Sequence, residues 1–354
     1  MRDENIGKQK LYESFVPITT ESERLFMPYR GSDIFGDTTF SLLYSWGSSF
    51  NYGVRRLKDA LLVTEESIDG RLVCILKKNK NTDMTAAAAE ALSIFENAGL
   101  PLYFGYVDAA ELEIYARAAA ELGREISAET VRGDSDYIYR TEEFISVDGR
   151  KNKKLRTDLN SLMRHYPDIT MRMYDGSDGV FRRDCLRVFD SWCSGRECGK
   201  CVYGCEKTAF ERFFDIFDPA RHSIGASYSG GKMLSFAASE IINSDTVCYY
   251  FQKNASRIRG LTFWLNREMA KRQPGFGYIN LGEDMGLEGL TIDKMSLHPC
   301  KIRDKYTVKF EKNARRISRP LADSHTGSID SSAKGRDLLR AFSSNGFGER
   351  GSQL

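Results

Sequence analysis

Between residues 71 and 140 the chain switches repeatedly between strand-like and helix-like stretches, and this alternation narrows the possible folds more than any other feature. "RLVCILKK" (71–78) is a short apolar run, "DMTAAAAEALSIFENAG" (83–99) is alanine-rich and ends on a glycine, and "LYFGYV" (102–107) is a second apolar run. A strand, a helix with Gly99 as its C-cap and another strand are expected. The pattern repeats in "DAAELEIYARAAAELG" (108–123), which opens on an Asp N-cap and ends at Gly123, and in the strand-like "SDYIYR" (135–140). Strands separated by helices of this length need a sheet on which the helices pack, so a mixed α/β or α+β unit is predicted to end near residue 145.

A second unit begins at "GRKNKKLRTDLNSLMRHYPD" (149–168), where Leu155, Leu159, Leu162 and Tyr166 fall at helical spacing. Arg150, Lys153, Lys154, Thr157, Ser161 and Arg164 form the opposite stripe, so one face is core and the other basic. Helices are expected over 180–192 and 206–217, strands over 222–229, 233–242 and 245–253, a helix over 261–272 and a short strand at "GYINL". A short helix at "TIDKMSLH" and a last strand over 304–310 complete the unit. The two halves alternate with similar lengths, as two diverged copies of one fold would. The expected domains are 1–145 and 146–311, followed by a tail from 312 to 354 too poor in apolar residues to order itself.

A chain of 354 residues with 41% hydrophobic content can support two such domains. The net charge of +2 excludes a bulk electrostatic case for nucleic acid, so any basic footprint must be local. The opening "MRDENIGKQKLYESF" lacks the apolar core of an export signal, and no window is apolar enough to span a bilayer. A cytoplasmic location is expected, with the eight cysteines reduced.

The strongest local construction is "DTVCYYFQKNASRIRGLTFWLNREMAKR" (245–272), in which a strand runs into Arg257, Arg259 and Gly260 and a helix opens at once. Unpaired N–H groups, the positive end of the helix dipole and a glycine that admits a close ligand suit phosphate. "RIRGLT" approximates the (Q/R)xxGx(G/A) pyrophosphate signature of GCN5-related acyltransferases, with Thr262 where a smaller residue is usual. A structural helix start with solvated arginines is the alternative.

Next comes "YINLGEDMGLEGL" (278–290), a short strand ending in the adjacent acids Glu283 and Asp284. For acyl transfer to an amine, a carboxylate here could act as general base or hold an ammonium group. Otherwise it is a solvated turn paired with Lys294 or Arg303. In "WCSGRECGKCVYGCE", Cys193, Cys198, Cys201 and Cys205 could hold structural zinc or an iron–sulfur cluster, or form a reduced thiol-rich turn. The stripe from Arg150 to Arg164 suits the phosphates of a tRNA-linked substrate, or is a solvated helix face. Histidines 165, 222, 298 and 325 show no metal or triad spacing.

Taken together, "SDYIYR", "GRKNKKLRTDLNSLMRHYP", Glu206, "NASRIRGLTFWLN", "YINLGEDMGLEGLTIDKMSLHP" and "KYTV" resemble a bacterial family related to the C-terminal catalytic domain of phosphatidylglycerol lysyltransferases. The resemblance spans roughly residues 12 to 310 and is densest in the second half. It implies an α+β fold of two tandem GCN5-related acyltransferase-like domains, as in Fem aminoacyltransferases, each a central mixed sheet flanked by helices. It also implies transfer of an acyl or aminoacyl group to an amine or hydroxyl. Aminoacyl-tRNA is the favoured donor and coenzyme A the rival, for which the Arg257 loop alone would suffice; the candidate acceptors are a small molecule, a peptide or a lipid headgroup, although a lipid acceptor is not implied by the resemblance. A non-catalytic binding module on the same fold is the remaining alternative.

By position, Lys154, Asn160, Gly260, Asn266, Asn280, Glu283, Asp284, Gly286, Glu288, Gly289, Leu290, Lys294 and Ser296 match the family's pattern. Leu281 and Gly282 depart from it where charged residues are usual, and Gln252 where an acid is common. With the residues of the basic turn and stripe added, the candidate donor-binding residues are Arg257, Arg259, Gly260, Lys153, Lys154, Asn280 and Lys294, with Glu283 and Asp284 as the candidate catalytic pair.

Overall fold

The computed structural model describes residues 2–67, 70–194 and 204–312. Among these, the first strands in the chain are β1 (Val16–Pro17), β2 (Gly53–Arg56), β3 (Leu61–Glu66), β4 (Leu72–Lys77), β5 (Tyr103–Val107) and β6 (Arg124–Thr130). With them come helices α1 (Arg2–Glu13), α2 (Glu23–Phe26), α3 (Phe40–Trp46), α4 (Met84–Asn97) and α5 (Leu112–Glu121). The chain continues through β7 (Asp136–Arg140), α6 (Thr141–Ser146), α7 (Lys153–His165), β8 (Thr170–Met173), α8 (Gly179–Cys193) and α9 (Glu206–Asp215). It ends with β9 (His222–Ser229), β10 (Lys232–Ile241), β11 (Thr246–Asn254), α10 (Leu261–Ala270), β12 (Tyr278–Asn280), α11 (Glu288–Ser296), β13 (Lys301–Arg303) and β14 (Tyr306–Lys312).

Two mixed sheets result, with strand orders β1-β2-β3-β4-β5-β14-β6 and β13-β7-β12-β11-β10-β9-β8. Among the described residues only β4–β5 and β11–β12 pair parallel; each is joined by one crossover helix, α4 or α10. These helices start where the sequence predicts, and Asp83 caps α4 by accepting from the Ala86 N–H at 3.0 Å.

The sheets exchange strands. β7 closes the first expected unit in the chain but lies between β12 and β13, while β14 closes the second but lies between β5 and β6. The expected split at residue 145 therefore follows chain order and not sheet membership. The exchanged strands are not peripheral: Val308 and Phe310 of β14 enter the first core with Phe95, Phe104 and Tyr115. Tyr137 and Tyr139 of β7 enter the second with Leu159, Leu162, Leu261 and Trp264. Each large apolar side chain buried this way contributes about 1.5–3 kcal/mol.

Leu155, Leu159 and Leu162 of α7 are buried, and Lys153, Lys154, Thr157 and Arg164 are exposed, as the period implies. Among the described residues no helix is long and apolar enough to cross a membrane.

Candidate active site

The register of β11 on β12 ends at Cys248 opposite Asn280, where β12 stops while β11 runs on to Asn254. Because the two strands are parallel, the chain leaves both toward the same edge of the sheet, and β11 continues beyond the end of β12.

One wall of this edge is the β11–α10 turn. Gly260 has φ 80°, and no side chain caps the helix it opens. A Cβ at Gly260 would lie 3.1 Å from the Asp158 carbonyl oxygen of α7, so the turn packs backbone against helix. Asp158, which no sequence motif singles out, binds Arg259 Nη2 through Oδ1 at 2.6 Å and Lys154 Nζ through Oδ2 at 3.2 Å. One buried carboxylate thus anchors two cations whose side chains remain 66% and 68% exposed. The Lys154–Asp158 spacing of four along a helix was the available signal. Arg257 lies exposed in the same turn, and Lys153 beside Lys154. Thr262 ties the turn to the strand by accepting from Asn254 Nδ2 at 2.8 Å. The matching turn of the first unit differs, because the Asp83 carboxylate already fills the start of α4.

The other wall is the loop after β12, and here the adjacent acids part company. Asp284 is buried and accepts from the Tyr137 hydroxyl at 2.5 Å, the Thr291 hydroxyl at 2.7 Å and the Gly286 N–H at 2.9 Å. Burial opposes its charge, but these bonds outweigh it and hold the carboxyl below its ordinary value. The loop sits close to Gly133, where a Cβ would lie 2.6 Å from the Gly286 nitrogen. Asp284 therefore has the contacts of a loop anchor.

Glu283 turns the other way, and its side chain keeps 35% exposure. Its Oε2 lies 2.6 Å from Lys305 Nζ, and the same ammonium meets Asp37 at 2.5 Å and Asp136 at 2.8 Å. Enclosure, with Asp37 and Asp136 adding to it, pushes the Glu283 carboxyl up to about 7 against the pull of Lys305. On Lys305 itself burial works against the charge, yet Asp136, Asp37 and Glu283 together outweigh it and raise the ammonium above the ordinary lysine range. Asp37, Asp136 and Glu283 bring one oxygen each within 4.8 Å of one another, the spacing of a metal site. Lys305 fills that place, so the cation is a residue of the chain.

Glu65, at the end of β3, accepts from the Tyr106 hydroxyl at 3.2 Å and is pushed up to about 7 by burial. Tyr106 and Tyr52 both sense the charges of Glu65, Asp37 and Glu283, so side chains of the first unit lie beside this acidic cluster. Asn280 is fully buried: its amide donates to Asp136 at 2.6 Å and its carbonyl accepts from the Gly282 N–H at 2.7 Å. Lys294 donates to the carbonyls of Leu281, at 2.8 Å, and Glu283. Burial brings Lys294 down to about 8, with Glu283, Asp136 and Asp284 acting the other way. Arg303, the other partner considered for the acids, instead lies 3.4 Å from Asp108.

Cys193 ends α8 and Cys205 precedes α9; Cys198 and Cys201 lie outside the described residues, as does the chain from 313 onward. A Ser–His–acid grouping that sequence spacing does not disclose joins Ser41, His222 and Glu240. The Asp218 N–H donates to His222 Nδ1 at 3.0 Å, which leaves the proton on Nε2, and Ser41 gives its own proton to Glu240 at 2.8 Å. His222 cannot then take the serine proton, and all three side chains are buried. The grouping ties α3 of the first unit to β9 and β10.

The family model described as phosphatidylglycerol lysyltransferase, C-terminal, matches residues 30–309. Among solved structures, a conserved protein of unknown function from Bacteroides thetaiotaomicron superposes with a TM-score of 0.73 at 23% identity, covering 84% of this chain and 99% of that one. The L-PGS structure from Bacillus licheniformis superposes with a TM-score of 0.62 at 16% identity, covering 84% and 94%. At these identities the likeness is one of fold, here two seven-stranded mixed sheets flanked by helices. No curated protein matches.

Proposed function

The chain belongs to the phosphatidylglycerol lysyltransferase C-terminal family, and from that premise we propose that it transfers an aminoacyl group from aminoacyl-tRNA to an amine or hydroxyl acceptor. The observation that supports this most is that the Gly260 turn, with its two anchored cations, and the Glu283 carboxylate leave parallel neighbouring strands at one sheet edge.

In this reading Arg259, Lys154 and the open start of α10 bind donor phosphate, with Arg257 alongside and Lys153 extending the contact along the tRNA. The acceptor enters the cleft between the units. Glu283, ionising near neutral pH, takes the proton from its amine or hydroxyl as that atom attacks the ester carbonyl. The new bond forms to the carbonyl carbon, the bond to the ribose oxygen breaks, and the proton passes from Glu283 to the departing oxygen. Lys294 holds the loop through the Glu283 carbonyl and adds positive charge where the carbonyl oxygen becomes negative. Asp284 and Asn280 hold the geometry.

The test is the rate at which the protein deacylates a full set of aminoacyl-tRNAs in the presence of amine and hydroxyl acceptors. Acceptor-dependent loss of the ester, abolished by Glu283→Gln, is expected. Thermal stabilisation by acetyl-CoA without any action on aminoacyl-tRNA would move the donor to coenzyme A. Neither response would leave a binding module on this fold.

A further inference from the structure

Lys305 lies in the connector from β13 to β14, the stretch that carries the chain from the second sheet back to the first. It gathers one carboxylate from each of three segments: Asp37 from the turn before α3, Asp136 from the start of β7 and Glu283 from the loop after β12. The ammonium donates hydrogen bonds to Asp37 at 2.5 Å and Glu283 at 2.6 Å, and Asp136 Oδ1 lies 2.8 Å away as an ion-pair contact. Its side chain is only 5% exposed, so substrate does not reach it, and any influence on chemistry passes through a neighbour. Asp136 is closed off inside the fold, whereas the side chains of Asp37 and Glu283 keep 30% and 35% exposure, and Glu283 is the one that follows β12.

We propose that Lys305 is the positioning residue of the Glu283 base, fixing its carboxylate toward the cleft and offsetting the negative charge of Asp37 and Asp136 so that Glu283 can accept a proton from the acceptor. The catalytic consequence rests on the transferase reading above; the electrostatic coupling does not.

The other groups facing Glu283 are Lys294 on the α11 side and the hydroxyls of Tyr52 and Tyr106 on the first unit. Without Lys305, Glu283 would meet Asp37 and Asp136 uncompensated, and its midpoint would climb further above about 7. A rise of about one unit would cut the ionised fraction at neutral pH about five-fold. Removing Asp37 must do the reverse, since that carboxylate raises the midpoint.

The experiment follows the Lys305 Nζ and Glu283 Cδ resonances through a pH titration of the full chain labelled in lysine and glutamate, with Glu283→Gln as the assignment control. In the wild type both resonances should move with one midpoint near 7. Lys305→Met should move the Glu283 midpoint up and Asp37→Asn should move it down. A Lys305 resonance indifferent to the Glu283 titration, or a Glu283 midpoint that stays or falls in Lys305→Met, overturns the proposal. Should Lys305→Met fail to fold, the wild-type titration decides alone. In the transfer assay, Lys305→Met should lose about five-fold in kcat/KM at neutral pH and recover as pH rises. A loss equal at every pH would mean a purely structural lysine. Absence of transfer by the wild type would remove the transferase reading and leave the resonance test intact.

Discussion

Ser135 Oγ donates to Asp304 Oδ1 at 2.7 Å, at the point where the connectors of the two exchanged strands cross. The next residue on each connector makes the next contact, Asp136 with Lys305 at 2.8 Å. From there β7 runs into the second sheet and β14 into the first. The acidic cluster around Lys305 is built on this crossing, so the segments that complete the sheets also assemble it.

A chain ended after Arg303 should therefore fail to fold even in its first half. It would lose Val308 and Phe310 from the first core and leave β5 and β6 without the strand between them. Calorimetry should show no cooperative transition; a melt resembling that of the intact chain would contradict the exchange.

The adjacent acids should separate cleanly under mutation. Glu283→Gln is expected to lower transfer at least about 100-fold with the melting temperature little changed. Asp284→Asn should instead cost about 1–3 kcal/mol in urea unfolding, because the Tyr137 and Thr291 hydroxyls and the Gly286 N–H lose their common ionised acceptor. The reverse pattern would exchange the roles assigned to the two residues.

Stability should fall as pH rises from about 4.5 to about 7. Glu65 and Glu283 ionise near 7 in the fold against an ordinary value of 4.5, so across this window the folded chain keeps protons that the unfolded chain has released. Their effect is opposite to that of a carboxylate held low, such as Asp284, whose contribution is present above its ordinary value and is lost as pH falls through its folded one. Melting temperatures taken across the window should decline in the wild type and decline less in Glu65→Gln and Glu283→Gln. A wild-type curve that is flat or rising there would refute the assignment.

Donor capture should depend on Asp158 although it carries the wrong charge to touch a phosphate. Asp158→Asn frees Arg259 and Lys154 from their anchor, and tRNA affinity at moderate salt should drop about three- to ten-fold. Lys154→Ala and Arg259→Ala should each reduce the slope of log affinity against log salt by about one. Affinity raised by Asp158→Asn, as simple removal of a negative charge would give, would count against the anchored arrangement.

Much of this was legible locally. The alanine-rich run with Asp83 before it, the leucines of α7 and the turn at Gly260 each carry their signal within a few residues, since helix caps and hydrophobic period are short-range effects. The acids at 283 and 284 were also visible as a pair. Their opposite surroundings were not, because these come from β7, α11 and the first unit, far away in the chain.

The amino-acid sequence by itself determined where many of the strands and helices form, and that a glycine-opened helix precedes a strand that leads into two acids. Only the tertiary structure decided which sheet β7 and β14 join, since an alternating strand buries its inward face equally well in either, and long-range packing makes the choice. It alone brought Lys305 to Asp37, 268 residues away in the chain. Charges so far apart in sequence leave no local pattern, and they come into bonding range only when the two sheets have traded their final strands.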